Sequence, residues 1–155
     1  METGVNQLGF ISSYSPIGDD EHGHYVARPE YYGMLAFAYG APGDFVESHL
    51  SAGSSNLAAY ATLKRDDRLL ITLINKESGV DAKVSVSGVE AFKRGSVVRL
   101  SAASLESSTE VSFGGVAVKP HGTWKAEREE KIQSSDGRWV VNLPAASAAI
   151  LTLVR

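Results

Sequence analysis

Six consecutive residues, Asp19-Asp20-Glu21-His22-Gly23-His24, contain three carboxylates and two imidazoles, side chains that commonly bind zinc or calcium. The run contains no thiolate, and its carboxylates do not follow the spacing of a calcium-binding loop. Residues 18–24 are polar and include glycine, which is typical of an exposed loop. We therefore predict a flexible loop here, with neither a metal ion nor another cofactor.

A pair of carboxyl groups held close together is another arrangement that could do chemistry, as a general acid with a base or nucleophile. Glu127, Glu129 and Glu130 form one acidic group, but lysine or arginine stands at positions 125, 128 and 131. Mixed charges of this kind indicate a solvated segment. No catalytic role is predicted for it.

Two tryptophans could serve as flat platforms for a sugar ring. Trp139 alternates with Val141 and Leu143, so it is predicted to face the core of a strand-rich domain. Trp124 lies in an irregular region, and its pattern alone does not assign it to core or surface.

Composition narrows the classes of partner. The 155 residues carry a net charge of -3 and their 15 lysines and arginines are scattered, which argues against nucleic acid as a partner. No cysteine is present, so disulfides and thiolate ligands are excluded. No run reaches the about 20 apolar residues of a membrane span, and residues 1–10 lack the pattern of a signal peptide.

Residues 29–39 have the pattern of a helix. Pro29 suits the first helical position, and Glu30 places negative charge at the positive helix start. Gly40 offers a left-handed stop, and Pro42 prevents the helix from resuming. The expected buried face, with Phe37 beside it, consists of Tyr31, Met34, Leu35 and Ala38.

From residue 44 onward the hydrophobic period becomes alternating, which predicts a mainly β fold. Residues 57–63 and 69–73 alternate on either side of Asp66-Asp67, as in a β-hairpin. About eight or nine short strands predict an antiparallel β-sandwich with one N-terminal helix, because a single sheet would leave a hydrophobic face in water. The other strands of the predicted sandwich lie near residues 45–50, 80–86, 98–100, 111–113, 116–118, 139–143 and 149–153, and residues 119–137 form a long connection. A separate short strand is predicted at residues 5–11.

Several segments resemble one known family. Tyr14 to Gly43, with the helix start Arg28-Pro29-Glu30-Tyr31-Tyr32-Gly33-Met34-Leu35, resembles the end of the catalytic barrel in glycoside hydrolase family 79, which includes bacterial β-glucuronidases and heparanase. Residues 109–115, 122–124 and 143–149 are similar to that family's C-terminal β-domain. The resemblance covers nearly the whole chain, and it implies a structural role for Trp124.

The resemblance also implies a domain organisation. Residues 1–43 would be the remnant of the last β/α unit of a (β/α)₈ barrel, and residues 44–155 the C-terminal β-sandwich domain beside it. The implied partner is the catalytic barrel of a uronic-acid-processing parent enzyme.

The catalytic pair of the resembled family is absent from this sequence. Retaining glycosidases need two carboxyl groups about 5 to 5.5 Å apart, and in this family both are glutamates on earlier barrel strands, one of them following an asparagine. In this sequence no asparagine is followed directly by a glutamate. We therefore predict no catalytic residues and no enzyme activity for this chain alone, which would be a non-catalytic region that supports the barrel.

Tyr14 is the one candidate substrate-binding residue. In the resembled enzymes a tyrosine in the loop after the last barrel strand helps to hold the carboxylate of the uronic acid, and Tyr14 stands at the matching place. A phenolic hydroxyl is a good donor to an anion. A uronic-acid-containing glycan is therefore an expected ligand; the alternative is that Tyr14 packs where the loop meets the helix or sandwich.

Two other functions remain open from the sequence. The sandwich and its tryptophans also suit an independent carbohydrate-binding module, and a sandwich of this kind can serve as a protein-interaction module. Without a barrel, the helix at 29–39 must dock on the sandwich, form a homodimer or stay exposed. We predict docking or dimerisation.

Overall fold

The computed structural model describes residues 15–19 and 25–155, with Asp19 described by its backbone alone. The fold is mainly β, as predicted, with antiparallel sheets stacked as in a sandwich and one helix. In this part of the chain the elements are β1 (Ile17–Asp19), β2 (Tyr25–Ala27), α1 (Pro29–Gly40), β3 (Asp44–Val46), β4 (Leu57–Leu63), β5 (Leu69–Asn75), β6 (Ala82–Val86), β7 (Arg94–Ser101), β8 (Ser112–Phe113), β9 (Glu130–Ile132), β10 (Trp139–Leu143) and β11 (Ser147–Val154).

A seven-stranded sheet forms the centre of the molecule, in the order β3-β4-β5-β11-β7-β8, with β9 also paired to β7. The predicted hairpin is confirmed as β4 and β5, which pair from Leu57 opposite Asn75 to Leu63 opposite Leu69. Asp67 takes a φ of 61° in the connecting turn, a conformation that aspartate tolerates better than most residues. Consecutive segments thus form the β3-β4-β5 part of the sheet, whereas β11, the last strand in sequence, lies between β5 and β7.

The central sheet is covered on both faces. On one face lies a two-stranded ribbon of β6 and β10, whose Trp139, Val141 and Leu143 pack against Leu73 and Leu151 of the sheet. The prediction that Trp139 belongs to the core is confirmed, since only 1% of it is exposed. This double coverage explains why β11 is buried almost along its whole length rather than at every second residue.

Helix α1 covers the opposite face of the central sheet. Its predicted start and length are confirmed, but the predicted buried face is wrong: Tyr32, Ala36 and Gly40 are buried, whereas Met34 and Ala38 are exposed. The buried set packs on Leu70, Val98, Phe113 and Ile150. Glu30 is the one charged residue of α1, so hydrophobic periodicity could not decide which face would meet the sheet.

Gly40 has a different role from the predicted left-handed stop, because it remains helical and lies against the sheet. A Cβ atom at Gly40 would lie 2.5 Å from Thr72 Oγ1 and 3.3 Å from Ile150 Cγ1. Thr62 Oγ1 also donates a hydrogen bond of 3.0 Å to the carbonyl oxygen of Gly40. The absence of a side chain therefore lets the helix approach the sheet closely.

Gly40→Ala should lower the free energy of unfolding by about 1 to 3 kcal/mol, because the added methyl group would force the helix away from the sheet. Gly33→Ala is the matched control, since a Cβ there meets no atom within 4 Å. The control should be neutral or stabilising by up to about 1 kcal/mol, through its higher helix propensity. Urea unfolding monitored by circular dichroism measures both changes, and equal effects of the two substitutions would contradict this packing.

The hairpin of β1 and β2 corrects the prediction of a loop over residues 18–24. Gly18 pairs with Val26 and is buried, and the Arg28 side chain lies against it. The backbone N–H of Arg28 donates to the carbonyl oxygen of Pro16 at 2.9 Å, next to this ladder. The start of the predicted loop is thus strand, while residues 20–24 and the predicted strand at 5–11 lie outside the described residues.

Candidate functional site

A tight turn over residues 119–123 faces the start of α1. The N–H of Gly122 donates to the carbonyl oxygen of Lys119 at 2.8 Å. The N–H of Lys119 donates to the carbonyl oxygen of Thr123 at 3.0 Å. Pro120 stands at the first central position, where its fixed φ is favourable, and Gly122 takes a φ of 74°. His121 is consequently presented at the tip of a well-defined turn.

A hydrogen bond ties the residue before this turn to the helix. The backbone N–H of Val118 donates to the phenolic oxygen of Tyr32 at 3.0 Å. Because Tyr32 is only 4% exposed and packs against the central sheet, its hydroxyl is a fixed point for the turn.

A cleft of about 310 Å³ separates the turn from the β1–β2 hairpin and the start of α1. We call it the helix-start cleft. The cleft is lined by aliphatic side chains and also by two tyrosines, a lysine and a histidine. Together these side chains can contact the face of a sugar ring and donate hydrogen bonds to the oxygens of the sugar. The lining residues are Ile17, Tyr25, Ala27, Tyr31, Val118, Lys119, Pro120, His121 and Gly122.

A second feature is an exposed apolar surface on the side of the central sheet that carries α1. Met34 and Phe37 on the helix are 55% and 70% exposed, and Phe45 on β3 and Tyr60 on β4 are 75% and 54% exposed. Phe45 lies opposite Thr62, whose side chain points towards α1, so Phe45 points to the same side. We call these four residues the outer surface.

The other tryptophan also has a structural position. The Trp124 ring stacks on Phe113 with centroids 4.7 Å apart, and its Nε1 donates to the carbonyl oxygen of Phe113 at 2.8 Å. The Tyr39 ring meets both rings edge-on, and burial raises the pKa of its phenol, with the Glu129 carboxylate adding to that rise. Trp124 therefore fixes β8 beneath the helix, as the family resemblance implied.

The glutamates near residue 130 are held by structural contacts. Glu130 accepts two hydrogen bonds from the Arg99 guanidinium, at 2.8 and 3.0 Å, and Arg99 also donates to the carbonyl oxygen of Asn142 at 2.6 Å. Glu129 accepts from the Ser96 hydroxyl at 2.5 Å. These contacts join β9, β7 and the ribbon, and they give the acidic segment a role in packing.

Glu130 should make stability depend weakly on pH. The hydrogen bonds from Arg99 hold the pKa of Glu130 below its ordinary value of 4.5, so the contribution is present above pH 4.5 and disappears as the pH falls through the lower folded-state pKa. Both side chains are partly exposed, which limits the contribution to about 1 kcal/mol. Urea unfolding should show that Glu130→Gln is less stable than the unchanged chain at pH 7, with the gap closing below pH 4.5.

The exposed Glu127 provides the control for that experiment. Glu127→Gln should change stability by less than about 0.5 kcal/mol at either pH. A pH-independent loss for Glu130→Gln would show that lost packing, rather than the ion pair, causes the destabilisation.

The residues singled out for binding lie outside the described part of the chain. Tyr14, His22 and His24 are not described. Among residues 15–19 and 25–155, no three histidines or acidic residues are grouped so as to hold a metal ion. The described residues also include no helix long and apolar enough to cross a membrane.

The cleft and the outer surface were not predicted as sites. A local signal existed for the turn, since Lys119-Pro120-His121-Gly122 has the composition of a tight turn. Its position opposite Tyr25 and Tyr31 depends on tertiary packing, which hydrophobic periodicity cannot supply.

Solved structures similar to this one come from carbohydrate-active enzymes. An arabinofuranosidase matches with a TM-score of 0.72 at 14% identity, over 94% of this chain and 33% of its own. A 4-O-α-L-rhamnosyl-β-D-glucuronidase from Fusarium oxysporum 12S matches with a TM-score of 0.67 at 21% identity, over 84% of this chain and 31% of its own. This chain therefore spans about a third of the length of these structures, and at such identities the likeness shows the fold alone.

The sequence comparisons give the family. No curated protein matches the sequence. The sequence model described as the glycosyl hydrolase family 79 C-terminal beta domain matches residues 59–150, more than half of the chain. The chain therefore belongs to the family of C-terminal β-domains of glycosyl hydrolase family 79.

Proposed function

We propose that this chain is the non-catalytic C-terminal region of a uronic-acid-processing glycoside hydrolase and that it supports the catalytic barrel of that enzyme. Residues 1–43 would supply the last β/α unit of the barrel and residues 44–155 the sandwich. Family membership supports a glycoside hydrolase as the parent protein.

The observation that carries the proposal is the outer surface. Helix α1 is apolar on both its sheet-facing and its opposite side, yet the sheet covers only one of them. A helix that is hydrophobic all round is normally buried all round. The helix of a barrel unit meets that requirement, because one side can cover barrel strands while the other meets a neighbouring domain.

The occupant of the outer surface would be the barrel of the same enzyme. The similar structures are about three times as long as this chain, so they contain a large additional part that such a surface could meet. Apolar side chains exposed as widely as Phe37 and Phe45 would lose contact with water on docking. In this arrangement the rigid sandwich holds α1 in place, and α1 in turn supports the barrel wall.

The proposal predicts that this chain alone does not hydrolyse glycosides. Purified chain incubated with an aryl β-glucuronide should release no chromophore above a no-protein control. Turnover that remains after further purification steps would overturn the non-catalytic assignment.

Tyr14 enters the proposal as a contact to the substrate carboxylate in the parent enzyme. Tyr14→Phe in that enzyme should raise KM for a glucuronide while leaving KM for the matching neutral glucoside unchanged. Equal changes for both substrates would assign Tyr14 to packing instead.

The two tryptophans no longer favour an independent carbohydrate-binding module. Trp139 is buried, and one face of Trp124 is taken by Phe113. A homodimer through the outer surface remains the alternative occupant, and the oligomeric state in solution distinguishes it from barrel docking.

A further inference from the structure

The helix-start cleft has the chemical features of a site for an acidic sugar. Lys119 contributes an amino group that can donate to an anion, and His121 adds a nitrogen that can donate a hydrogen bond. Tyr25 and Tyr31 supply aromatic faces and hydroxyls, and Tyr25 is 47% exposed. A volume of about 310 Å³ is at the lower end of the range for small-molecule sites, about 300 to 1,000 Å³.

One wall of the cleft, the turn at 119–122, is held in place by hydrogen bonds within the chain. The turn at 119–122 closes on itself through the hydrogen bond between Lys119 and Gly122. The hydroxyl of Tyr32 holds the N–H of Val118, and thus one edge of the turn, against α1. A wall that is already ordered lowers the cost of ordering the site when a ligand binds.

The position of the cleft also suits a substrate-binding role. In the proposed parent enzyme the β1–β2 hairpin lies between the last barrel strand and the helix that follows it. Connections of this type form the face of the barrel where active sites lie. The cleft would therefore lie beside that face, with the 119–122 turn contributed by the sandwich domain.

We infer that the helix-start cleft is a distal subsite that binds a carboxylate-bearing sugar of an oligosaccharide, with Lys119 pairing with the carboxylate and His121 donating to a neighbouring oxygen. Tyr25 and Tyr31 contact the apolar face of the sugar ring. This inference rests on the proposed function for its place in the enzyme, but the binding itself can be tested on this chain.

Isothermal titration calorimetry of this chain with a tetrasaccharide that contains glucuronic acid tests the subsite. The same tetrasaccharide with its carboxylates reduced to alcohols is the matched neutral ligand. We expect the acidic ligand to bind at least about tenfold more tightly, as one charge-assisted hydrogen bond would give. Equal affinities, or no heat of binding up to about 10 mM acidic ligand, would overturn the inference.

Two substitutions locate the binding. Lys119→Ala should weaken binding of the acidic ligand about tenfold and leave the neutral ligand unchanged. Lys125→Ala is the control, since Lys125 is an exposed lysine a few residues away that does not line the cleft. Equal losses for the two substitutions would show general charge attraction and would contradict the site.

Failure of this inference can be told apart from failure of the proposed function. If the acidic ligand does not bind but the chain associates with its barrel, the subsite is wrong and the supporting role stands. If the ligand binds in the predicted way but the chain does not associate with a barrel, the subsite stands and its placement in an enzyme is wrong.

Discussion

Replacing Asn75 with alanine is expected to lower the free energy of unfolding by about 2 to 4 kcal/mol, one of the two largest effects that we predict. Asn75 is 1% exposed at the end of β5. Its Nδ2 donates to the carbonyl oxygens of Val80, Leu143 and Pro144 at 2.9, 3.0 and 3.1 Å. Its Oδ1 accepts from the N–H of Glu77 at 3.0 Å.

One carboxamide thus joins the central sheet to the chain entering β6 and the chain leaving β10. In the alanine variant these backbone groups would lose their partner in a place that water reaches poorly, and the cost of unpaired buried groups would exceed that of the lost side-chain contacts. The ribbon is the layer that should loosen first, because two of its ends meet at Asn75.

Urea unfolding monitored by circular dichroism and tryptophan fluorescence measures the loss, since Trp139 lies in the ribbon. Asn142→Ala is the matched control, because that asparagine is exposed on β10 and only its backbone oxygen is used by Arg99. The control should cost less than about 0.5 kcal/mol. A loss below about 1 kcal/mol for Asn75→Ala would show that the polar junction does not hold the ribbon.

Phe37→Glu is expected to weaken association with the parent barrel at least about thirtyfold, corresponding to about 2 kcal/mol, while leaving the stability of this chain nearly unchanged. Phe37 is 70% exposed here, so its replacement removes little packing. In the docked state the same position would place a charge in an apolar interface, which is costly.

Val140→Glu is the control for the docking experiment. Val140 is 40% exposed, but it belongs to β10 in the ribbon on the opposite face of the central sheet. Barrel binding, measured by surface plasmon resonance, should be unaffected by this substitution. Equal weakening by the two glutamates, or none by Phe37→Glu, would exclude the outer surface as the interface.

Alternation predicted most of the strands because it directly reports burial on one face, but residues 116–118 form no strand and β9 lies within the predicted connection at 119–137. The β4–β5 hairpin and the Trp139 strand follow this rule. The segment around Ile150 does not alternate, because β11 is buried on both faces. Ile150 and the residues before and after it in sequence are all apolar and buried. Local periodicity identifies a strand there but cannot show that the strand lies at the centre of a sheet.

The helix and the sites show where sequence patterns stop. The sequence of α1 predicted a helix. Because apolar residues lie on all sides of this helix, the sequence did not predict which side packs on the sheet. Gly40 looked like a terminator because glycine suits both a left-handed stop and a close approach, and only the positions of Thr72 and Ile150 distinguish the two. Asn75 and the cleft depend on contacts between residues far apart in sequence.

The most direct test is to express the parent barrel without its C-terminal region and add this chain back. Hydrolysis of an aryl β-glucuronide is then measured for the barrel alone, for the chain alone, and for the barrel with either the unchanged chain or Phe37→Glu. We predict no turnover by the chain, restoration of barrel stability and activity by the unchanged chain, and little restoration by Phe37→Glu. Turnover by the chain alone, or a barrel that is equally stable and active without it, would contradict the account.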